Sequence, residues 1–367
     1  MDRNELCWCN SGRKWKKCHY LRATEEPYSE ARLMHEFRSQ ARTALCLHAD
    51  APKNCGKQIV RAHTVQRSGS LSGIAENGHV CSGRDTGFIK GSGNVSNDLA
   101  LVGINTASTF NGFCSHHDND TFKPADSAMS VTKEVAFLMA YRALSYEIYM
   151  KMIAIPTMVA LQNRIDRGFE FAKQARAQVE FHLALQGFRT GLGEHQAHKV
   201  NYDHLLAGSW KSDFHSAAFS FDGVLPIVSS GTFFPEFDFR GNSVQSINED
   251  IGKLSLLAFN LVVIDQKSVL IFGWDIDPTG ANARFVESFS ALEGSRMADI
   301  AVRFCFEISD NIFARPSWWS SVSKQRRQDL LHRLRQNTPG SHASNGLIVG
   351  DGIRYISEEI SGIRISL

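Results

Sequence analysis

Cys46-Leu-His-Ala-Asp-Ala-Pro-Lys-Asn-Cys55, then Arg61-Ala-His63-Thr64, then Gly112-Phe-Cys114-Ser-His-His117-Asp118: these three pieces of one stretch decide how the chain is read. Two thiols come first, a histidine closes an apolar run, and a Cys-x-x-His pair follows with a carboxylate directly after it. Thiolate sulfur and imidazole nitrogen are donors that zinc accepts at close to tetrahedral angles. Four of them, arriving as Cys46/Cys55 and Cys114/His117, suit one closed ion. His63 and Asp118 lie beside that frame, and their role decides whether it is a staple alone or the wall of a second site.

The flanking residues support the frame. Pro52 and Gly56 surround the second thiol and suit a knuckle, and Lys57 to His63 alternates enough for a strand ending in the histidine. Residues 67–97 are rich in Gly and Ser and read as an irregular loop. That loop carries His79 and Cys81, either of which could replace a named ligand. In this order of parts the chain resembles the HNH, or ββα-metal, nucleases built on a zinc-stapled treble clef. In that group the general-base histidine ends the first strand, and the second strand turns into a helix supplying a metal ligand. The resemblance implies Cys46, Cys55, Cys114 and His117 as zinc ligands, His63 as the base, and Asp118 as the ligand of a catalytic Mg2+ or Mn2+. The chemistry agrees, because neutral imidazole takes a proton from water near neutral pH and a carboxylate holds a divalent ion against phosphate. Two departures stand out. The asparagine that usually precedes the third zinc ligand is Thr109 here, with Asn105 and Asn111 nearest, and the gap from His63 to Cys114 is long. His63 therefore keeps two readings, a free base or a buried or zinc-bound histidine in a structural fold.

Residues 4–20 read Asn-Glu-Leu-Cys-Trp-Cys-Asn-Ser-Gly-Arg-Lys-Trp-Lys-Lys-Cys-His-Tyr. A C-x-C pair must turn tightly to face one ion, and Gly12 lets the chain double back toward Cys18. So short a segment has no core, so bound metal must supply its folding energy. The stretch closely resembles the SEC-C motif, the zinc knuckle at the C-terminal end of the SecA translocase and of many unrelated bacterial proteins. Cys7, Cys9, Cys18 and His19 fall on its ligand positions, Ser11 and Gly12 on its turn. The resemblance implies a docking module for protein partners or the ribosome, with no catalysis of its own.

Composition bounds the rest. A chain of 367 residues exceeds one ordinary core, and its 43% apolar content is that of a globular protein. The net charge of +2 supports no global argument about partners. Residues 1–22 are locally basic, with Arg3, Arg13, Lys14, Lys16, Lys17 and Arg22 against Asp2 and Glu5, which suits nucleic acid, ribosome or an acidic protein. Seven of the eight cysteines lie before residue 115, and no apolar leader opens the chain. Cys/His clusters in that setting point to metal in a cytoplasmic protein, not to disulfides. No apolar run is long enough for a membrane span.

Glu30 to Ala44 reads as an amphipathic helix with Leu33, Phe37 and Ala41 on one stripe and Ser29 as its cap. Asp126 opens a helical region reaching to about Gly187, with a break near Pro156. Arg164, Arg167, Lys173 and Arg176 read as a solvated face, and His195, His198 and His204, near Asp203, as surface histidines. From His215 the texture turns to β-type runs, with Gln266-Lys267-Ser268 as a hairpin turn inside Leu256–Trp274. Asp238, Asp275 and Asp277 read as strand-ending turn formers. Lys324 to Arg335 reads as a basic amphipathic helix.

The expected fold is α+β and multidomain: a zinc knuckle over 1–22, an HNH-like treble-clef module over 23–125, a helical region over 126–211, and an antiparallel β-rich domain with a basic helix over 212–367. The expected function is a metal-dependent HNH-like nuclease on DNA or RNA, with two structural zincs. A bacterial defence or stress setting follows only from the habits of such module combinations. The rival is a non-catalytic zinc-scaffolded binding protein that docks through its N-terminal knuckle. The Phe-Cys-x-x-His-Asp stretch with Phe122 after it also resembles a group of uncharacterised bacterial proteins, which adds no function.

Overall fold

Near-continuous apolar runs such as Leu257–Ile264 bury both faces of a strand, and two of them joined by two residues make a central hairpin. Asp265 and Gln266 both take positive φ, 48° and 58°, the conformation of a two-residue hairpin turn. The turn therefore sits one residue earlier than the Gln266–Ser268 reading. The computed structural model describes all residues except 10, 30, 31, 33, 34, 37, 38, 40, 41, 57, 84–97, 210–212, 337–347, 357, 358 and 367. Leu33, Phe37 and Ala41, on which the expected Glu30–Ala44 helix rests, lie outside the described residues.

The chain is mixed α and β with antiparallel sheets. Strands β1 (Ile59–His63), β2 (His79–Ser82), β3 (Ala100–Gly103) and β4 (Thr109–Cys114) precede helices α1 (Ser115–Asp126), α2 (Lys133–Leu161) and α3 (Phe171–His204). Then come β5 (His215–Phe221), β6 (Ile227–Phe233), β7 (Leu257–Ile264), β8 (Lys267–Trp274), α4 (Ala281–Ser290) and α5 (Gly294–Ile308). Strand β9 (Ile312–Ala314), α6 (Pro316–Ser321), α7 (Lys324–Gln336) and β10 (Gly362–Ile365) complete the order. Among the described residues no helix is long and apolar enough to cross a membrane.

The chain divides into two units. The first gathers Met1–Thr43 with Met150–Leu192. Its centre is a helical hairpin, the end of α2 and the start of α3. Helix α2 runs through Pro156 to Leu161, so the break falls at residues 162–170 and not at Pro156. Gly168 makes that turn with φ +76°, and a Cβ there would lie 2.8 Å from Pro27 Cγ, closer than side chains tolerate.

The second unit gathers Ala44–Lys90, Val95–Tyr149 and Gly193–Leu367. Its large sheet runs β10-β5-β8-β7-β6-β9-β2-β3, all antiparallel pairs. Phe219, Phe259 and Phe272 on that sheet meet Phe285, Phe289 and Phe304 on α4 and α5 in its core. Part of the segment expected to be an irregular loop is thus β2, whose Cys81 pairs with Ala314. Strands β1 and β4 pair separately, with α1 following directly, which is a ββα arrangement.

His195 and His198 are buried, 3% exposed each, while His204 is exposed as expected. His195 Nε2 meets Thr232 Oγ1 at 3.1 Å and His198 pairs with Asp275 at 2.8 Å. Asp238 accepts from the Arg240 and Asn242 amides, and Asp277 from those of Asn282 and Ala283 at the start of α4, so both are turn and cap formers. Helix α7 buries Leu330, Leu331 and Leu334, and its Arg333 is held between Glu307 and Asp329.

Candidate metal centres

The N-terminal hairpin closes through Cys7 N–H to the Arg13 carbonyl at 2.8 Å, with Gly12 at φ +70° in the turn. Doubling back brings Cys7, Cys9, Cys18 and His19 together, their donor atoms all within 4.8 Å of one another. His19 Nδ1 lies 3.2 Å from Cys7 Sγ and 3.1 Å from Cys18 Sγ, and Cys9 and Cys18 sulfurs are 3.5 Å apart. A tetrahedral zinc with ordinary bond lengths puts sulfur and nitrogen about 3.6 Å apart and two sulfurs about 3.8 Å apart. The set therefore has the size of one zinc site, slightly contracted. Burial, then the neighbouring Cys9 and Cys18, pushes the Cys7 thiol up to about 12. Thiols so placed bind a cation only by giving up protons, so metal capture here releases acid.

The second set is assembled from both ends of the ββα unit. Cys46 and Cys55 lie in the loop before β1, Cys114 ends β4, and His117 sits in the first turn of α1. Their donor atoms also fall within 4.8 Å. His117 Nδ1 is 3.3, 3.8 and 3.4 Å from the sulfurs of Cys46, Cys55 and Cys114, close to the tetrahedral spacing. The Gly56 amide donates to Cys114 Sγ at 3.1 Å, as thiolate ligands commonly require. Gly56 is obligatory for this approach, since a Cβ would stand 2.8 Å from Ser115 Oγ and 3.1 Å from the His116 nitrogen. His79 and Cys81, the possible substitutes, belong to neither set. Three thiolates and one imidazole on a zinc leave a net charge of −1. Lys199, buried and hydrogen-bonded to Tyr141 Oη at 2.9 Å and to Asp203, places a cation close enough to interact with Cys46. The same Tyr141 Oη accepts from the Ala49 amide at 3.1 Å, which pins the Cys46–Cys55 loop to α2.

His63 stands outside both sets. It ends β1 opposite Thr109, and its Nε2 meets the Ile104 carbonyl at 3.3 Å. A carbonyl only accepts, so Nε2 carries the proton, and Nδ1 has no hydrogen-bond partner among the described residues. Burial, and after it Arg142 and Arg67, lowers the pKa of His63, and the Ile104 carbonyl opposes them. A backbone carbonyl thus fixes the His63 ring, a contact that no side-chain motif could reveal. Directly after His63, Thr64 bonds to Asn311 Nδ2 at 2.8 Å and to the hydroxyl of Ser108, fixing the strand end.

Asp118 lies in the first turn of α1, and its Oδ1 is buried without a hydrogen-bond partner. Burial raises its pKa, Arg142 counteracts and Asp126 reinforces the rise. Arg142 stands on the predominantly apolar helix α2. It is 5% exposed, grips Asp126 with two bonds of 2.7 and 3.0 Å, sits 3.8 Å from Asp118 and stacks 4.0 Å over Phe122. It therefore acts on both His63 and Asp118.

A third group, His48, Asp50 and His117, also brings donor atoms within 4.8 Å. The His48 ring stacks on His117 at 3.9 Å and 12°, its Nδ1 accepts from the Asp50 amide, and its Nε2 faces Thr121 Oγ1 at 3.1 Å. Parallel rings point their lone pairs side by side, and both His48 nitrogens are already used. This group is a brace for His117 and not a third ion site. It lines a cleft of about 440 Å³ that also carries His116, Asp120 and Glu134.

Comparison with known proteins bears on the first centre. The SEC-C motif family matches residues 3–21. A methionine aminopeptidase of Chlamydia trachomatis serovar D is 45% identical over 38 residues, 10% of this chain and 13% of that protein. A methionine aminopeptidase of Chlamydia pneumoniae is 75% identical over 20 residues, 5% of this chain and 7% of that protein. The chain thus spans only a small part of these relatives. No solved structure matches it. A SEC-C zinc-binding motif opens the chain, and two Cys/His sets suited to zinc follow from motif and geometry together.

Proposed function

We propose that this chain is a metal-dependent phosphodiesterase of HNH type that cleaves DNA or RNA, with the knuckle as a docking element. One observation carries the reading: the Cys46/Cys55/Cys114/His117 set closes without His63, whose Nδ1 has no hydrogen-bond partner among the described residues. His63 then takes a proton from an attacking water, and its lowered pKa keeps it neutral for that task. A divalent ion, Mg2+ or Mn2+, would polarise the scissile phosphate and neutralise its charge. Asp118 fits as its protein ligand, having a buried oxygen with no hydrogen-bond donor, and such ions commonly use one carboxylate plus waters and phosphate. Arg142 orients Asp118 and adds positive charge beside a phosphodiester.

The same Arg142 favours the rival reading, a binding protein without catalysis, because its guanidinium already balances Asp118 and Asp126. Cleavage assays separate the two. Wild-type protein should cut plasmid DNA or structured RNA in magnesium or manganese. His63→Ala should lose about 10²–10⁴-fold in rate with zinc content and melting temperature nearly unchanged. Asp118→Ala should behave likewise, and both should still bind nucleic acid. Protein that holds two zincs and cleaves nothing under any divalent metal rejects the nuclease and leaves the binding protein.

A further inference from the structure

Asp166 lies in the turn between α2 and α3, and its side chain has no exposed surface. A carboxylate buried so completely costs several kcal/mol unless charges and hydrogen bonds reach it. Gln178 on α3 contributes, but the charges that reach it come from the N-terminal segment. His19 Nε2 donates to Asp166 Oδ2 at 2.5 Å, and Arg22 Nε stands 3.5 Å from Oδ1. The carboxylate accepts only, so the His19 proton sits on Nε2 and the Nδ1 lone pair is turned toward Cys7 and Cys18. One imidazole therefore has thiols at one nitrogen and a buried carboxylate at the other, the arrangement by which an outer-shell acid fixes a metal-binding histidine.

The surrounding contacts tie the same two pieces. Arg22 Nη1 donates to the Asn163 carbonyl at 2.6 Å, and the Gly168 amide to the Arg22 carbonyl at 2.9 Å. The Trp8 ring meets the Phe171 ring edge-on at 5.6 Å and that of His19 at 4.7 Å. The knuckle has no apolar core of its own, so the position of His19 over Asp166 depends on the ion that orders the knuckle.

We propose that Asp166 is the outer-shell carboxylate of the N-terminal metal centre, and that the ion bound there holds the α2–α3 turn closed. The knuckle is then not a free tether. It and residues 162–171 gain and lose order together, and removing its ion opens the turn. With the Trp8 and His19 side occupied by the chain's own helices, docking is left to the exposed side bearing Arg13, Lys14, Lys16 and Lys17.

Titration of the full chain with a chromophoric zinc chelator tests the first half. Asp166→Ala should weaken one of two zinc equivalents by about 10–100-fold and leave the other unchanged. Asp166→Asn keeps an acceptor for His19 but no charge, and should fall between; it decides the matter if the alanine variant does not fold. Wild-type affinity in both variants, or a wild-type knuckle that takes up no zinc, overturns the assignment. Hydrogen exchange tests the second half. Cys9→Ser, which cannot complete the knuckle's set, should exchange about tenfold faster across residues 162–171 while β7 and β8 keep their protection. Unchanged exchange there overturns the coupling.

Discussion

Asp275→Asn should destabilise the protein most at pH 6 and progressively less as pH rises above the ordinary histidine range. His198 Nδ1 lies 2.8 and 3.1 Å from the two Asp275 oxygens, and Nε2 lies 2.9 Å from the Leu254 carbonyl. All three are acceptors, so both nitrogens donate and the buried ring is an imidazolium. Burial alone would drive the proton off, but the Asp275 carboxylate, the Leu254 carbonyl and Glu194 outweigh it and raise the pKa above the ordinary 6.5. A histidine raised on folding adds stability that is full below its unfolded value and is lost as pH rises through its folded value. In the variant, the amide can donate to Nδ1 of a neutral ring but cannot balance a charged one. Removing one member of a buried ion pair costs about 3–5 kcal/mol. Asn201 Nδ2 already contributes a 3.0 Å bond to Asp275, so the lower end, about 3 kcal/mol near pH 6, is expected. That corresponds to a fall in Tm of roughly 5 °C at this unit's size. Thermal and urea denaturation from pH 6 to 9, in saturating zinc, should give a gap between wild type and variant that closes as pH rises. A gap that ignores pH refutes the imidazolium, and one under about 1 kcal/mol at pH 6 refutes the buried pair.

Elemental analysis should return about two zincs per chain, and Cys7→Ser should lose one of them. Cys114→Ala should lower Tm far more than Cys81→Ala or Cys305→Ala, because it opens a closed metal site where the others only trim a buried side chain; equal Tm values would mean the ligands are misassigned. The cleavage rate should stay flat through neutral pH and fall only below the ordinary histidine value of 6.5, since burial, Arg142 and Arg67 depress His63; a fall starting above 7 would exclude His63 as the base. Arg142→Met should cost about 1–2 kcal/mol by urea denaturation, less than a fully buried pair because Asp126 is 42% exposed. No loss would show that Arg142 does not support this face of α1.

The metal sets were legible because their geometry is written in short spacings: a C-x-C with Gly12, and a Cys-x-x-His at a strand-to-helix turn. The β7–β8 hairpin was legible from runs too apolar for anything but a buried strand. What escaped was set by partners distant in sequence. His195 and His198 carry no local sign of burial, and partners distant in sequence, Thr232, Phe234, Leu254 and Asp275 among them, hide them. The strand β2 is four residues long and pairs with β3 on one edge and with the sequence-distant β9 on the other. Arg142 in an apolar helix had no visible role until α1 brought Asp118 and Asp126 against it. Helix α2 continues past Pro156 to Leu161, although proline cannot make its own amide hydrogen bond to the preceding turn.

The pairing of Cys81 with Ala314 has a consequence for how the chain is made. Strands β1 and β4 bracket a segment that must cross to the large sheet and wait there for β9, whose residues are synthesised long after it. Contacts that distant close late, since the loop entropy between them must be overcome first. Until then a nascent chain holds Cys46, Cys55 and Cys114 on a half-built frame, and the edge of β2 has no neighbour on its β9 side. A fragment ending after α3 would stay in that state permanently. The ββα unit is therefore short in sequence but cannot be cut out, and a truncated form should aggregate even with zinc supplied.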